Sequence, residues 1–559
     1  MAGAPSTYEN IKDVPLYVSF NWRGQNQGTA QADAWAKNIF VEKDGDSEGP
    51  YSVKRPGLAN VGSMTPAGFT PFNGLPAYAV QGSVALEGFG NNYLGNFVPA
   101  VIVQAHLMDA RTGTFNVGLN SAPYTVTGGY ALTSPGITRG GQVSIATQQG
   151  LTLGTGIGDN RICCVIQSPW EITTVKWNCT GNVIPTGLQY SLGQSYTAPP
   201  LVGGGLGLYQ LVPGIMLLDN TYYVMDQTGK LWASAIGDPT TWPAINYVQV
   251  DATIGVPVAL NRLGPYLVAF GTRGTQLFYD AGNSPGAPIQ AVQGGIFLHG
   301  MPQWASFTIA ASEDSLLWLG TSTEGNLAVK RMTGAQIMTV SSESVERYLN
   351  AYFSQGGASA ILDSAIATVR GCLIRTAGHE FFVLSNLAYT SGSAGTGGAT
   401  LTYDLKTNNW VVWTQQTTLA YGEGAFRAHS AINFGSQESY LPDITNGTLY
   451  QMNSNTYQDN GQTINVLIQT DEYSWGNQRT KLIPATYPLL DTVNTTVNLS
   501  WTNDDYATFS TPQPINTSTS KKQLIRCGST VQRAWQLTHT DNTPMRFYAL
   551  EVEVVPGAL

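Results

Sequence analysis

A turn followed by an apolar, aromatic-rich strand recurs through the middle of this chain, and that repeat restricts the fold more than any other feature. Ile215-Met216-Leu217-Leu218 turns at Asp219-Asn220 and returns as Tyr222-Tyr223-Val224-Met225. It turns again at Gln227-Thr228-Gly229 and leaves as Leu231-Trp232-Ala233, the pattern of a meander. The unit restarts as Tyr266-Leu267-Val268-Ala269-Phe270, the turn Gly271-Thr272-Arg273-Gly274, and Gln276-Leu277-Phe278-Tyr279. Later copies are Glu324-Gly325-Asn326 before Leu327, Lys406-Thr407-Asn408-Asn409 before Trp410, and Asn446-Gly447-Thr448 before Leu449. The turns centred on 229, 274 and 325 lie 45 and 51 residues apart, and the longer gap to 408 holds a hairpin of its own, Cys372 to Leu384. Spacings of about 40 to 50 residues with four short strands are the period of propeller blades, which bury their faces only against neighbouring blades. The expected fold is therefore all-β: a β-propeller, six blades favoured and seven possible, with one or more inserted loops and an additional C-terminal β domain. A large β-sandwich with coincidental turn spacing is the alternative.

Residues 1–57 read as an N-terminal arm with ring-closing strands, 58–457 as the propeller with an insertion at about 108–141, and 458–559 as the C-terminal β domain. The alternating segment Pro15 to Phe20, or the strand after it, is expected to pair into the last blade and close the circle. Lys54-Arg55-Pro56-Gly57 is a turn signal. A β unit is read at Gly74 to His106, the blade pattern resumes at Gln142, Leu151-Thr152-Leu153, Ile162 to Trp170 and Val175 to Trp177, and Pro199-Pro200 with Gly203-Gly204-Gly205 marks a joint. One helix is expected after Ser341-Ser342, where Val345, Tyr348, Leu349 and Tyr352 share a face. In the C-terminal region, Thr502-Asn503-Asp504-Asp505-Tyr506-Ala507-Thr508-Phe509 nearly matches an Asp-box turn, with Tyr506 where glycine should stand.

Charged residues make up only 11% of the 559-residue chain, against about 25% in a typical globular domain. A polar, weakly charged surface fits a subunit largely covered by others. The net charge of -9 and pI near 5.1 argue against wrapping nucleic acid on a basic surface. No apolar run is long enough to span a membrane. Met1 to Thr7 has neither a basic segment nor an apolar core, so no secretory signal is read and assembly in a cytoplasm is expected.

Cys163, Cys164, Cys179, Cys372 and Cys527 show no CxxC spacing, and the adjacent pair reads as buried small apolar side chains. His106, His299, His379, His429 and His539 are dispersed, so no metal site is expected. Asp226, Asp238, Asp280 and Asp404 sit singly in turns, where aspartate satisfies backbone amides. Neither the paired carboxylates of a glycosidase nor the arginine cluster of a sialidase can be assembled, and Gly203 to Gly207 precedes a strand rather than a helix. No catalytic residue, cofactor or metal ligand is assigned, and the chain is expected not to be an enzyme. Nucleic-acid contacts cannot be named.

Several separated segments nevertheless resemble one family in order. They are Lys54-Arg55-Pro56-Gly57-Leu58, Ile236-Gly237-Asp238-Pro239-Thr240-Thr241-Trp242-Pro243, Tyr266 to Tyr279, Ser315-Leu316-Leu317-Trp318-Leu319-Gly320, Ile337 to Leu349, Trp501 to Phe509, and Arg533 to Leu537. Together they are similar to the packaged-DNA stabilisation proteins of short-tailed bacteriophages, also described as tail hub or nozzle proteins. The resemblance implies a propeller assembled as a hexameric ring below the portal and the portal-adaptor, or head-to-tail connector, in the virion tail. It also implies tail fibre, tailspike or tail needle neighbours, and packaged double-stranded DNA passing through the channel without sequence-specific binding. Assembly would take place in the bacterial host cytoplasm. The matched residues are packing and turn positions, so no binding residue is carried over. The alternative is a carbohydrate-binding or glycan-degrading phage propeller, in which Trp242, Trp475 and Tyr506 would stack on sugars. A cellular propeller scaffold is the third reading.

Overall fold

The computed structural model describes residues 11–19, 34–63 and 211–556 except 44–48, 227, 237–242, 244, 303–304, 313, 322–324, 355–368, 387–399, 417–422, 427–430, 432–438, 443–447 and 520–524, and between 88 and 167 only the backbone of seven strands. The readings at Leu151 to Leu153, Val175 to Trp177, Pro199-Pro200, Gly203 to Gly207, Asp238 and Trp242 lie outside the described residues.

Between Leu211 and Val412 the chain forms consecutive four-stranded antiparallel meanders, the blades of a β-propeller. The 211–249 blade contains Leu211–Leu218, Thr221–Asp226, Lys230–Ala233 and Tyr247–Gln249. The 257–297 blade contains Pro257–Leu263, Tyr266–Gly271, Thr275–Asp280 and Ile289–Phe297. The 310–339 blade contains Ala310–Ala311, Ser315–Thr321, Leu327–Thr333 and Gln336–Thr339. The 369–412 blade contains Val369–Thr376, His379–Asn386, Thr400–Asp404 and Asn409–Val412.

The reason these strands read as unbroken apolar runs is that both of their faces are covered. Along Tyr266–Gly271, Leu267 and Ala269 enter the core shared with Tyr223, Met225 and Leu231 of the preceding blade. Their neighbours Val268 and Phe270 enter the core shared with Leu316 to Leu319 of the next blade, where Phe270 meets Trp318 edge to face at 5.0 Å. The same alternation divides Phe381 and Val383 from Phe382 and Leu384. A period of two on a doubly buried sheet produces this pattern.

The helix is Glu343–Ser354, which places Val345 and Leu349 in the inter-blade core. The Ser342 hydroxyl accepts from the Val345 amide at 3.4 Å, and Glu343 and Glu346 occupy the first turn, where the helix dipole favours negative charge. Asn350 Oδ1 accepts from the Leu327 amide at 3.0 Å, anchoring the helix to the edge of its blade.

Two N-terminal segments pair with strands far along the chain: the strand after Pro15 to Phe20, Trp35–Lys37, lies parallel to Asn409–Val412, and Gly57–Ser63 is the other. Gly57–Ser63, directly after the Lys54-Arg55-Pro56 turn, pairs antiparallel with Thr448–Asn453, beyond which lies Tyr440–Pro442. Ile11–Pro15 runs beside Arg546–Pro556 instead, and the Leu16 amide donates to Tyr548 O. Trp35–Lys37 joins the 369–412 blade to Val466–Gln469, so one continuous sheet of nine strands runs from the propeller into the C-terminal region. The N-terminal segment from Ile11 lies in that region, with the apolar side chains Val14, Leu16 and Val18 in the core of the C-terminal sheets. That core lies between the nine-stranded sheet, which contributes Leu499, Trp535 and Leu537, and a second sheet, which contributes Ile483, Phe547 and Leu550. Residues 108–141 contain Phe115–Leu119, Ala122–Thr127 and Ala131–Thr133, which form a sheet of their own. Among the described residues no helix is long and apolar enough to cross a membrane.

Contact between blades is close enough that side chains are excluded at certain points. A Cβ on Gly371 would lie 2.1 Å from Thr308 O, whereas one on Gly378, at φ +73, would meet nothing within 4 Å. Gly371→Ala should therefore destabilise by about 2 kcal/mol or more through overpacking against backbone, and Gly378→Ala by only about 1 kcal/mol of left-handed strain. Urea unfolding of the two variants checks the order, and equal losses would contradict it.

Candidate functional site

The most elaborate polar constellation among the described residues surrounds Arg55, at the joint between the N-terminal segment, the ring closure and the C-terminal sandwich. Arg55 is fully buried. Its Nη1 and Nη2 donate to Asp459 Oδ1 and Oδ2 at 2.9 and 2.5 Å, a bidentate pair in which both side chains are 0% exposed. Nε donates to Asn38 Oδ1 at 3.0 Å, while Nη1 and Nη2 also reach Pro56 O and Thr414 O. The guanidinium lies 5.3 Å from the Phe426 ring centre and 5.9 Å from that of Trp413. Asn38, in the left-handed region at φ 58, completes the knot by donating to Thr414 Oγ1 and Asn465 O. Gly57 is required beside it, because a Cβ there would lie 2.2 Å from Gln458 O. A planar fork with all three nitrogens engaged has no face left for a ligand, so this arginine pins strands and is closed to phosphate.

Lys54 points the other way along its strand, into the C-terminal sandwich. Its Nζ donates to Asp541 O at 2.6 Å and lies 3.4 Å from His539 Nδ1. Burial, aided by the adjacent Arg55 charge, lowers the Lys54 pKa to about 8. Burial and the Lys54 charge together lower that of His539 to about 4. Thr495 Oγ1 lies 2.9 Å from His539 Nε2 and donates to Asp541 Oδ2 at 2.5 Å. A second buried histidine, His379, has Nδ1 2.8 Å from Asp404 Oδ2 and Nε2 4.0 Å from Glu42 Oε1. The rings of Phe40 and Phe381 pack on it at 5.1 and 5.7 Å. This pair orders the chain where the N-terminal strand meets the 369–412 blade.

The turn aspartates behave as their positions imply. Asp226 Oδ1 accepts from the amides of Thr228 and Lys230 at 2.8 and 3.0 Å, and its Oδ2 accepts from Trp232 Nε1 at 3.0 Å. Asp404 accepts from the Lys406 amide and the Thr407 hydroxyl, and Asp280 from the Gly282 amide. In the Asp-box-like turn, the Thr502 and Thr508 hydroxyls donate to Asp504, whose pKa falls to about 2 chiefly through these bonds. Tyr506 adopts the left-handed φ of 62 that glycine would supply.

Of the aromatics that would stack on sugar, Tyr506 is buried, with its hydroxyl donating to Thr470 O at 2.9 Å. Trp475 is half-buried against Trp535, with ring centres 5.9 Å apart. The left-handed turn carries the Tyr506 hydroxyl to Thr470 O, an orientation that alternation alone does not reveal. No described cluster of three His, Cys, Asp or Glu side chains is placed to hold a metal. Cys372 and Cys527 are buried free thiols. Sequence reasoning singled out Lys54 and Arg55 as part of a turn and of the family resemblance, and nothing in the sequence marked Asp459 as the neighbour of Arg55 or His539 as that of Lys54.

Removing one member of the Arg55–Asp459 pair leaves the other charge buried. Arg55→Ala or Asp459→Ala should each cost about 3–5 kcal/mol, and the double replacement Arg55→Met with Asp459→Leu should recover much of it. A double-mutant cycle by chemical denaturation measures this, and additive losses would contradict it. His539 makes a separate pH prediction. Its folded pKa lies below the ordinary value of 6.5, so the unfolded chain binds the proton first and stability falls as pH drops from 6.5 towards 4. The loss is about 3 kcal/mol in the limit, and His539→Asn should flatten the pH profile of stability in that window.

Residues 216–390 match the family described as Bacteriophage P22 Gp10, beta-propeller. The match supports a bacteriophage structural protein. No curated protein matches the chain. Among solved structures, exo-beta-1,3-galactanase from Phanerochaete chrysosporium, with beta-1,3-galactotriose, is 10% identical, covering 64% of this chain and 98% of its own at a TM-score of 0.24. YCF48 from Cyanidioschyzon merolae is 10% identical over 61% and 96% of the two chains, TM-score 0.24. BamB from Moraxella catarrhalis is 9% identical over 78% and 99%, TM-score 0.24. Scores this low carry no inference about activity.

Proposed function

We propose that this chain is a structural subunit of a short-tailed phage tail, assembled as a ring, hexameric by the family resemblance, below the portal and its adaptor. The carrying observation is the match of residues 216–390 to the Gp10 propeller family. In this reading the ring extends the DNA channel, retains packaged DNA and lets it leave during ejection. The chain is not an enzyme, and its neighbours are the adaptor ring and the tail fibre, tailspike or needle proteins. The weakly charged surface supports extensive coverage by other subunits, and the largest polar knot, around Arg55, is a closed structural pin. The burial of Tyr506 weakens the sugar-binding alternative.

The mass and symmetry of the purified protein and its position in virions test this directly. Sixfold rings located in the tail are expected, whereas a monomer that binds a glycan saturably or hydrolyses it would overturn the proposal. A second expectation concerns the channel wall. Each phosphate-paired Lys or Arg adds salt-dependent grip, and about six to ten such contacts change affinity by roughly a thousandfold or more between low and moderate salt. Repeated around a ring, that grip would oppose release, so the wall is neutral to acidic, in keeping with a net charge of -9 per subunit. The isolated ring should bind duplex DNA weakly, and tight salt-sensitive binding would contradict this.

A further inference from the structure

The second sheet of the C-terminal sandwich buries one of its faces, and among the described residues nothing packs over the other. Along Arg546–Pro556, Leu550 and Val552 enter the core, so Glu551 and Glu553 are presented on the opposite side. The register sets Asp13 directly across from Glu551 on one flank and Tyr487 across from it on the other, with Ile11 across from Glu553. Leu482 and Leu489 of Lys481–Leu490 share this outer face, and Leu482 is 48% exposed. None of the three carboxylates makes an ion pair or a side-chain hydrogen bond with a described residue. Lys12, next to Asp13 in the chain, and Arg526, next to the bridge between Ile525 and Thr486, pair with none of them. Like charges directly opposed across two strands are destabilising, and uncovered apolar side chains around them mark a surface that another molecule occupies.

The turn at 271–274 in the 257–297 blade has the complementary character. Arg273 is exposed, and its guanidinium forms no ion pair or hydrogen bond with a described residue. The Thr272 amide donates to Val256 O and the Thr275 hydroxyl to His299 O, which brings Val256, 50% exposed, and Leu298, 68% exposed, beside the turn. Asp251, on the segment leading to Val256, already accepts from the Thr253 amide through Oδ1. We infer that the acidic, apolar face formed by Ile11–Pro15, Lys481–Leu490 and Arg546–Pro556 docks on the Arg273 turn of a second copy of this chain. The inference rests on the ring proposed above and names the two surfaces that build it. Charge selects the mode of pairing. An isologous contact of the acidic face with itself would bring two sets of three carboxylates together, whereas a heterologous contact gives Arg273 its counter-charges and covers Val256 and Leu298 with the apolar side chains of the face. A heterologous contact repeated by rotation closes into a ring.

The test uses the full chain, with its mass followed by light scattering and native mass spectrometry over a range of concentrations. Wild type should form a closed oligomer. Glu551→Lys with Glu553→Lys, and separately Arg273→Glu, should each weaken association by about tenfold or more, and the three replacements combined in one chain should restore it. Leu298→Ser removes apolar contact without touching charge and should also weaken association. Arg273→Glu and Leu298→Ser keep the test alive even where the lysine variant does not fold, and thermal unfolding of each variant separates lost association from lost folding. A ring indifferent to all of these replacements would overturn the inference while leaving the ring itself standing. Loss of the ring in the lysine variant that Arg273→Glu does not rescue would assign the acidic face to a different protein, and would overturn it too. A wild type that stays monomeric would overturn both the inference and the ring on which it rests.

Discussion

A blade of this propeller cannot bury itself. Leu267 and Ala269 belong to one inter-blade core and Val268 and Phe270 to the next, so every strand of this kind exposes one apolar face unless both neighbouring blades are present. Hydrophobic burial at about 25 cal/mol per Å² therefore stabilises the ring as a whole rather than any single unit. Closure is the point on which the rest depends, because an open ring would leave two such faces in water.

Gly57–Ser63 pairs with Thr448–Asn453 far along the chain, and a buried ion pair beside it fixes the strand in addition to apolar packing. A buried pair contributes little net stability, since desolvation offsets most of its Coulomb attraction, but it penalises alternative registers heavily. Arg55 satisfies its donors only when Asp459, Asn38, Pro56 and Thr414 arrive together. The knot thus couples the pairing of Gly57–Ser63 with Thr448–Asn453 to correct placement of the N-terminal strands. Trp35–Lys37 extends the same logic mechanically, by making the 369–412 blade and the C-terminal sandwich share one sheet.

The turn aspartates Asp226 and Asp404 serve the same end locally, locking tight turns with bonds to nearby amides and hydroxyls.

The sequence by itself determined the all-β class, the strands and turns of the described blades, the helix at Glu343–Ser354 and the role of the turn aspartates, because each is a local matter of side-chain period or short-range hydrogen bonding. It did not determine where the N-terminal strands go: only the packed chain puts Val14, Leu16 and Val18 in the C-terminal core and sets Trp35–Lys37 and Gly57–Ser63 against strands far along the sequence. Nor could it place Tyr506 inside or bring Arg55 to Asp459, 404 residues along the chain. Those outcomes depend on which distant surfaces become adjacent once desolvation has made unpaired charges and uncovered faces costly, and that is decided only when the whole chain has packed.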